Sequence, residues 1–376
     1  MSGIYFHIPF CKVKCSYCDF YKTTDNSKLD DLVRNIKLEM WLRRDYLTDN
    51  SIKTIYFGGG TPSLLKSGQF EELIRACRTV FNVETDTEIT IEANPDDLSL
   101  EYLEAIRNVG VNRLSIGVQS FSQTDLKLMK RRHNTIQALN AVKYAQQAGF
   151  NNISVDLIYG VPNMPFKQWH DNLKQVFELN IQHLSAYHLT YHQGTKLWDD
   201  LKRGVLHEIT EEESVKQFDV LVKMAKEFGF IHYEISNFAK EGYFSQHNSA
   251  YWKQTEYLGL GPSAHSYNRT SRQWNVSSLT HYLLALAQQK IPFQLEKLSK
   301  TDQFNDYIIT SLRTMWGIDL EYLGREFGKK YLLHVEKVGA KYKTNNQIFL
   351  KENKLILNQS CMLISDGIMS DFMILN

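Results

Sequence analysis

Three thiols near the start of the chain carry the clearest chemical signal. Cys11, Cys15 and Cys18 follow one another in a CxxxCxxC spacing, within IYFHIPFCKVKCSYCDF at residues 4–20. Thiols this close in sequence can turn inward on one compact loop and hold three corners of a metal centre. A zinc ion would want a fourth protein ligand to close its tetrahedron, and no second CxxC lies downstream. A [4Fe–4S] cluster bound by three thiolates instead keeps one iron open to an exchangeable ligand. A structural zinc loop and unrelated buried thiols are the plainer alternatives, and the spacing favours the cluster.

A second signal is the run Gly58-Gly59-Gly60-Thr61-Pro62. Glycines let backbone N–H groups approach a ligand without side-chain obstruction; the threonine adds a hydroxyl and the proline stiffens the turn. Alone, such a run is most often a tight turn.

The elements around these motifs explain how they could meet. Ile4, Tyr5, Phe6 and Ile8 form a β-prone segment that Pro9 should end. Further strands are expected at 54–57, 88–93, 113–118, 153–159 and 183–189. Helical spacing covers 29–46, 70–81, 100–109, 123–130, 135–148 and 166–179. Alternation at this rhythm predicts an α/β fold with a parallel sheet of βα units. Six units within about the first 190 residues predict an open, partial (β/α)6 barrel, where eight would close. The cysteine loop and the glycine turn would both lie at strand C-terminal ends, where such folds build their sites.

Beyond residue 200 the pattern changes. A charged amphipathic helix at 211–228 precedes a strand-like 233–238. The aromatic- and serine-rich stretch 244–275 reads as loops and short strands, and a helix follows at 279–289. Helices at 302–315, 320–327 and 332–338, then strands at 348–350 and 354–357 around a Glu352-Asn353 turn, predict a mainly helical, winged-helix-like C-terminal module. The division expected is 1–200 for the barrel core, 201–290 for an extension and 291–376 for that module. A docking or lid role is expected of the module, because fold alone does not establish DNA binding.

Composition sets bounds. The 376 residues are 43% hydrophobic and 23% charged, ordinary globular values, and 43 basic residues balance 42 acidic ones. No overall field favours nucleic acid or anionic lipid. Cys77 and Cys361 stand apart from the loop, which is not a secreted disulfide framework. With chemistry beginning by Tyr5 and no apolar run of about 18–20 residues, a cytoplasmic protein is expected.

The CxxxCxxC spacing after YxHIPFC, with an aromatic at Tyr17, resembles the radical S-adenosylmethionine superfamily. There the open iron of the cluster binds the amino and carboxylate groups of S-adenosylmethionine, and the cofactor carries the hard chemistry. The resemblance narrows over Glu92 in IEANP, Gln119 in SIGVQSF, Arg131 in MKRRH and Asp156 in VDLIYGVP. These match the oxygen-independent coproporphyrinogen III dehydrogenases and their heme-chaperone relatives, the HemN and HemW types. The resemblance implies that Cys11, Cys15 and Cys18 hold the cluster. It implies further that Tyr5, Tyr17, Gly59, Gly60, Thr61, Glu92, Gln119, Arg131 and Asp156 line the S-adenosylmethionine site. Arg131 suits a carboxylate, while Glu92 and Asp156 can accept from ammonium or hydroxyl groups.

Within that family the dehydrogenases carry a further cysteine two residues after the third ligand, where this chain has Phe20, and a long extension before the first strand. Both departures resemble the heme-chaperone branch. So does His247-Asn248-Ser249-Ala250-Tyr251-Trp252, which matches its HNxxYW motif. The resemblance implies heme contact at His247, with Tyr251 and Trp252 able to cover a macrocycle. His188, His192 and His265 are candidates for a second ligand. The implied function is a heme chaperone that binds a [4Fe–4S] cluster, S-adenosylmethionine and heme, and passes heme to acceptors such as respiratory hemoproteins. Homodimers and peripheral membrane association are also implied, and no nucleic acid. Whether the chain is also an enzyme stays open. The rivals are porphyrinogen decarboxylation and another radical reaction on a tetrapyrrole.

Overall fold

The computed structural model describes residues 2–374. Six strands, β1 (Ser2–Ile8), β2 (Ser51–Gly59), β3 (Asn82–Ala93), β4 (Arg113–Gln119), β5 (Ile153–Tyr159) and β6 (His183–His188), run parallel, each paired with the next. The helices Leu29–Leu42, Ser67–Val80, Leu100–Asn108, Thr135–Gln147 and Phe166–Glu178 make the crossovers, as the apolar periodicity predicts. The largest shift is in β3, which starts at Asn82 because Ser51 and Ile52 of β2 extend to pair with Asn82 and Val83.

Side chains alternate across each strand, and the two faces differ in chemistry. Ile4, Phe6, Ile8, Ile55, Phe57, Ile89 and Ile91 are buried with the apolar faces of the helices in one core. The other face carries Tyr5, His7, Thr54, Tyr56, Glu88, Glu92, Ser115 and Asp156. These polar groups satisfy one another, as buried polar groups must. Tyr56 donates to Glu92 at 2.8 Å, Ser115 donates to Asp156 at 3.0 Å, and Ser154 bonds with His183 at 2.8 Å.

The sheet grows at both edges. β7 (Ile231–Glu234) and β8 (Asn237–Ala239) add an antiparallel hairpin to β6, so the single strand expected at 233–238 is two, divided by a turn. On the other edge β9 (Tyr257–Leu260) pairs parallel to β1. It is followed by antiparallel β10 (His265–Tyr267), β11 (Ser271–Asn275) and β12 (Phe293–Lys297). Among the described residues the order is β12-β11-β10-β9-β1-β2-β3-β4-β5-β6-β8-β7, an open, partial barrel.

A buried carboxylate holds the β9 edge to the first helix. Glu39 is fully buried and accepts from Arg43 (3.2 Å), Gly261 N–H (2.9 Å), Asn275 (2.7 Å) and Tyr282 (2.6 Å). Satisfying it from four directions offsets the cost of removing its charge from water.

The C-terminal region packs the helices Lys300–Leu312, Leu320–Phe327, Lys329–Thr344 and Ser365–Phe372 with a small antiparallel sheet. Its strands β13 (Ile318–Asp319), β14 (Ile348–Lys351) and β15 (Lys354–Leu357) are ordered β13-β15-β14. Glu352 and Asn353 both take positive φ, 49° and 60°, the hairpin turn expected of them. Among the described residues no helix is long and apolar enough to cross a membrane.

Candidate functional site

The cysteine loop leaves β1 at Pro9 and is held from three sides. Cys11 N–H donates to Thr23 O (2.9 Å) and Thr23 N–H to Pro9 O (2.8 Å), closing the loop on itself. The glycine turn braces it through Gly60 N–H to Ile8 O (2.9 Å) and Thr61 N–H to Phe10 O (2.8 Å). Ser16 donates its N–H to Met129 O (3.1 Å) and its hydroxyl to Leu128 O (2.7 Å). A Cβ at Gly60 would lie 2.6 Å from Ile8 O and 2.8 Å from Phe10 O, so only glycine fits this approach.

Cys11, Cys15 and Cys18 open onto one cavity of about 420 Å³ at the C-terminal ends of β2–β6. That volume falls in the range of small-molecule sites. Thr61 Oγ1 donates to Cys11 Sγ at 3.3 Å and Arg131 Nη1 to Cys15 Sγ at 3.4 Å. Burial pushes the Cys11 thiol up, with the Thr61 hydroxyl pulling the other way. Among the described residues no three His, Cys, Asp or Glu side chains converge on a point that would hold a single metal ion. A single zinc ion needs that convergence. A cluster takes one thiolate at each of three irons, so its ligands stand apart around it. Three thiols on one rim, two of them facing hydrogen-bond donors, fit the second description.

Tyr17, Gly59, Gly60, Thr61, Glu92, Gln119, Arg131 and Asp156 line the same cavity. Glu92 is held by Tyr56 O–H (2.8 Å) and Gly59 N–H (3.1 Å). Burial pushes its carboxyl up to about 7 against those donors, and Asp156 adds to the rise. Burial also raises Asp156, opposed by the Ser185 and Ser115 hydroxyls. Gln119 ends β4 in the left-handed region at φ 67°, a strained conformation for a residue other than glycine. Arg131 donates through Nη2 to Asn94 and to Gly117 O (2.6 Å), while its Nε is buried without a partner. Tyr5 is placed differently. It is absent from the cavity wall, with its ring stacked on Tyr56 and its hydroxyl 3.3 Å from His7 Nδ1.

His247 also differs from expectation. Its motif lies on a helix, Gln246–Trp252, where loops and strands were expected. The ring is 1% exposed and outside the cavity wall. Nδ1 bonds with Thr54 Oγ1 at 2.7 Å and Nε2 with Tyr251 O–H at 2.8 Å, and the ring stacks on Tyr56 at 5.0 Å. Burial lowers its pKa to about 3, so the ring is neutral. In this arrangement neither nitrogen is free for iron.

Sequence reasoning passed over Arg113, Ser115 and Ser185, which line the deep part of the cavity, and Asn248, which reaches it from the motif helix. The signal was the polar alternation Arg113, Ser115, Gly117, Gln119 along β4.

Residues 5–176 match the Radical SAM superfamily. The heme chaperone HemW of Bacillus subtilis (strain 168) is 32% identical over 332 residues, 88% of this chain and 88% of that protein. That of Lactococcus lactis subsp. lactis (strain IL1403) is 34% identical over 337 residues, 90% of this chain and 87% of the relative. The chain belongs to the HemW family. Its fold is similar to that of the coproporphyrinogen III oxidase HemN of Escherichia coli, with a TM-score of 0.85 at 23% identity over 99% of this chain and 89% of that one.

Two features stand at the cavity mouth of this HemW family member. Phe20 is 64% exposed on the wall beside the cluster loop. His188 and His192, an HxxxH pair, line the same opening, whereas His265 lies outside it.

Proposed function

We propose that this member of the HemW family is a heme chaperone. It holds a [4Fe–4S] cluster through Cys11, Cys15 and Cys18, binds S-adenosylmethionine beside it, and carries heme to acceptor hemoproteins. One observation carries the reading of the site: the three thiols, the glycine turn and the charged strand ends share one cavity. The heme assignment rests on the relatives named heme chaperones, which match over most of both chains.

When bound, the cluster offers one open iron to the amino and carboxylate groups of S-adenosylmethionine. The protein's share is orientation and charge. Glu92, fixed by Tyr56 and Gly59, accepts from the N–H of the ligand's amino group. Arg131, fixed by Asn94 and Gly117, sets a positive charge on the cavity wall for the ligand carboxylate. Asp156, held by Ser115, accepts from hydroxyl groups. Phe20 leaves no further thiol at the position where the dehydrogenases have one, which supports carriage over porphyrinogen decarboxylation.

We assign residues 1–200 to the cofactor core, 201–290 to the extension bearing the motif helix and 291–376 to the C-terminal region. The first residue and the last two lie outside the described ones. Lys253 over Trp316 (4.5 Å) and Arg313 over Trp252 (5.7 Å) join the last two segments.

The test is anaerobic titration of the cluster-reconstituted chain with ferric heme. Saturation at one heme per chain is expected. Absence of saturable binding overturns the proposal.

A further inference from the structure

We infer that His192 ligates the iron of the heme cargo at the cavity mouth, with Asp19 orienting the imidazole; this rests on the heme-carrying reading above.

Most inward-facing histidines are already committed on both ring nitrogens. His7 bonds with Tyr5 and Tyr21, His183 with Ser154 and Tyr233, and His247 with Thr54 and Tyr251. His188, at the mouth, bonds with Leu189 O and with Ser214 Oγ, both at 3.0 Å. His192 differs. Its Nδ1 lies 3.4 Å from Asp19 Oδ2, and its Nε2 has no bonding partner among the described residues. The side chain is 47% exposed, on the wall of the cavity that the three cysteines share. The pair is a close approach between two half-exposed groups, from which a small turn of either side chain makes Nδ1–H donate to the carboxylate and leaves the Nε2 lone pair outward, the arrangement of metal-ligating histidines.

The backbone is fixed while the ring stays open. Thr195 donates its N–H (3.1 Å) and hydroxyl (2.7 Å) to His192 O. Leu197 N–H donates to Ser16 O (2.9 Å), tying this segment to the cysteine loop. Around the same opening Val13, Phe20 and Tyr187 are exposed apolar groups, at 41%, 64% and 44%. A porphyrin face has use for such surface, which a lone surface ion pair does not explain.

The experiment titrates ferric heme into the full, cluster-reconstituted chain and reads heme-minus-protein difference spectra in the Soret region. His192→Ala is expected to weaken binding at least about tenfold and to remove the imidazole-ligated signature. Added free imidazole should restore that signature on heme that stays with the variant through gel filtration, which separates it from the imidazole complex that free heme forms in solution and which an unfolded chain could not retain. Asp19→Asn should shift the ligation signature with a smaller loss of affinity, as befits a positioning residue. His192→Ala with unaltered affinity and spectrum overturns this inference and leaves the carrier reading standing. The same holds if His247→Ala alone removes the signature. Failure of the unaltered chain to take up heme overturns both.

Discussion

Glu88 accepts the backbone N–H of His247 at 3.1 Å and that of Gln246 at 3.2 Å. A barrel strand therefore caps the helix that carries the family motif and seats its histidine among Thr54, Tyr56 and Tyr251. The motif histidine is built into the barrel wall.

Removing that ring deletes two hydrogen bonds and leaves a cavity. His247→Ala should destabilise the chain by about 2–4 kcal/mol in denaturant unfolding. A change below about 0.5 kcal/mol, the level of ordinary surface substitutions, would contradict the structural role.

Gly60→Ala would press a methyl group into the carbonyls of Ile8 and Phe10, backbone atoms that cannot turn aside. The cysteine loop must then move. Reconstituted Gly60→Ala protein should hold well under half the iron and sulfide of the parent, while Gly68→Ala, where nothing lies within 4 Å of the new atom, should match it.

Much of the barrel was legible because its signals are local. The β5 strand at 153–159 follows from seven successive residues, and the glycine turn follows from composition alone. What escaped was non-local. Nothing in Tyr257–Leu260 says that it will lie parallel to β1, because the pairing joins residues far apart in the chain. Glu39 reads as a surface group within an amphipathic helix, and only the arrival of Gly261, Asn275 and Tyr282 makes its burial tolerable. Of the residues named through resemblance, all but Tyr5 and His247 share one cavity wall. Both side chains belong to the polar inner face, whose depth along the barrel a linear pattern does not encode.

That carboxylate supplies a further prediction. Glu39→Ala strands the buried Arg43 charge and should cost about 3–5 kcal/mol of stability in urea unfolding. Loss near zero would mean that the β9 edge does not depend on it.

Glu92 supplies a pH dependence. With its carboxyl raised from 4.5 to about 7 by burial, the unliganded site is largely protonated below neutrality. Folding stability linked to this group is complete below 4.5 and lost as pH rises through about 7, since the unfolded chain releases the proton first. The N–H groups of the ligand's amino group bond more strongly to the carboxylate than to the protonated acid. Affinity for S-adenosylmethionine should therefore rise with pH, by at most about tenfold per unit, and level off above about 7. Calorimetric titration of the cluster-loaded chain measures it, and Glu92→Gln should bind more weakly with a flat profile. A parent profile that is flat or falls with pH contradicts the assignment.

The central claim is delivery. Heme-loaded, cluster-reconstituted chain should be mixed anaerobically with a heme-free acceptor hemoprotein, and the acceptor's own Soret band followed against a free-heme control. The account predicts faster filling of the acceptor from the loaded chain, with matching loss from the donor. Filling no faster than the control, or conversion of coproporphyrinogen III by the same preparation, would contradict it.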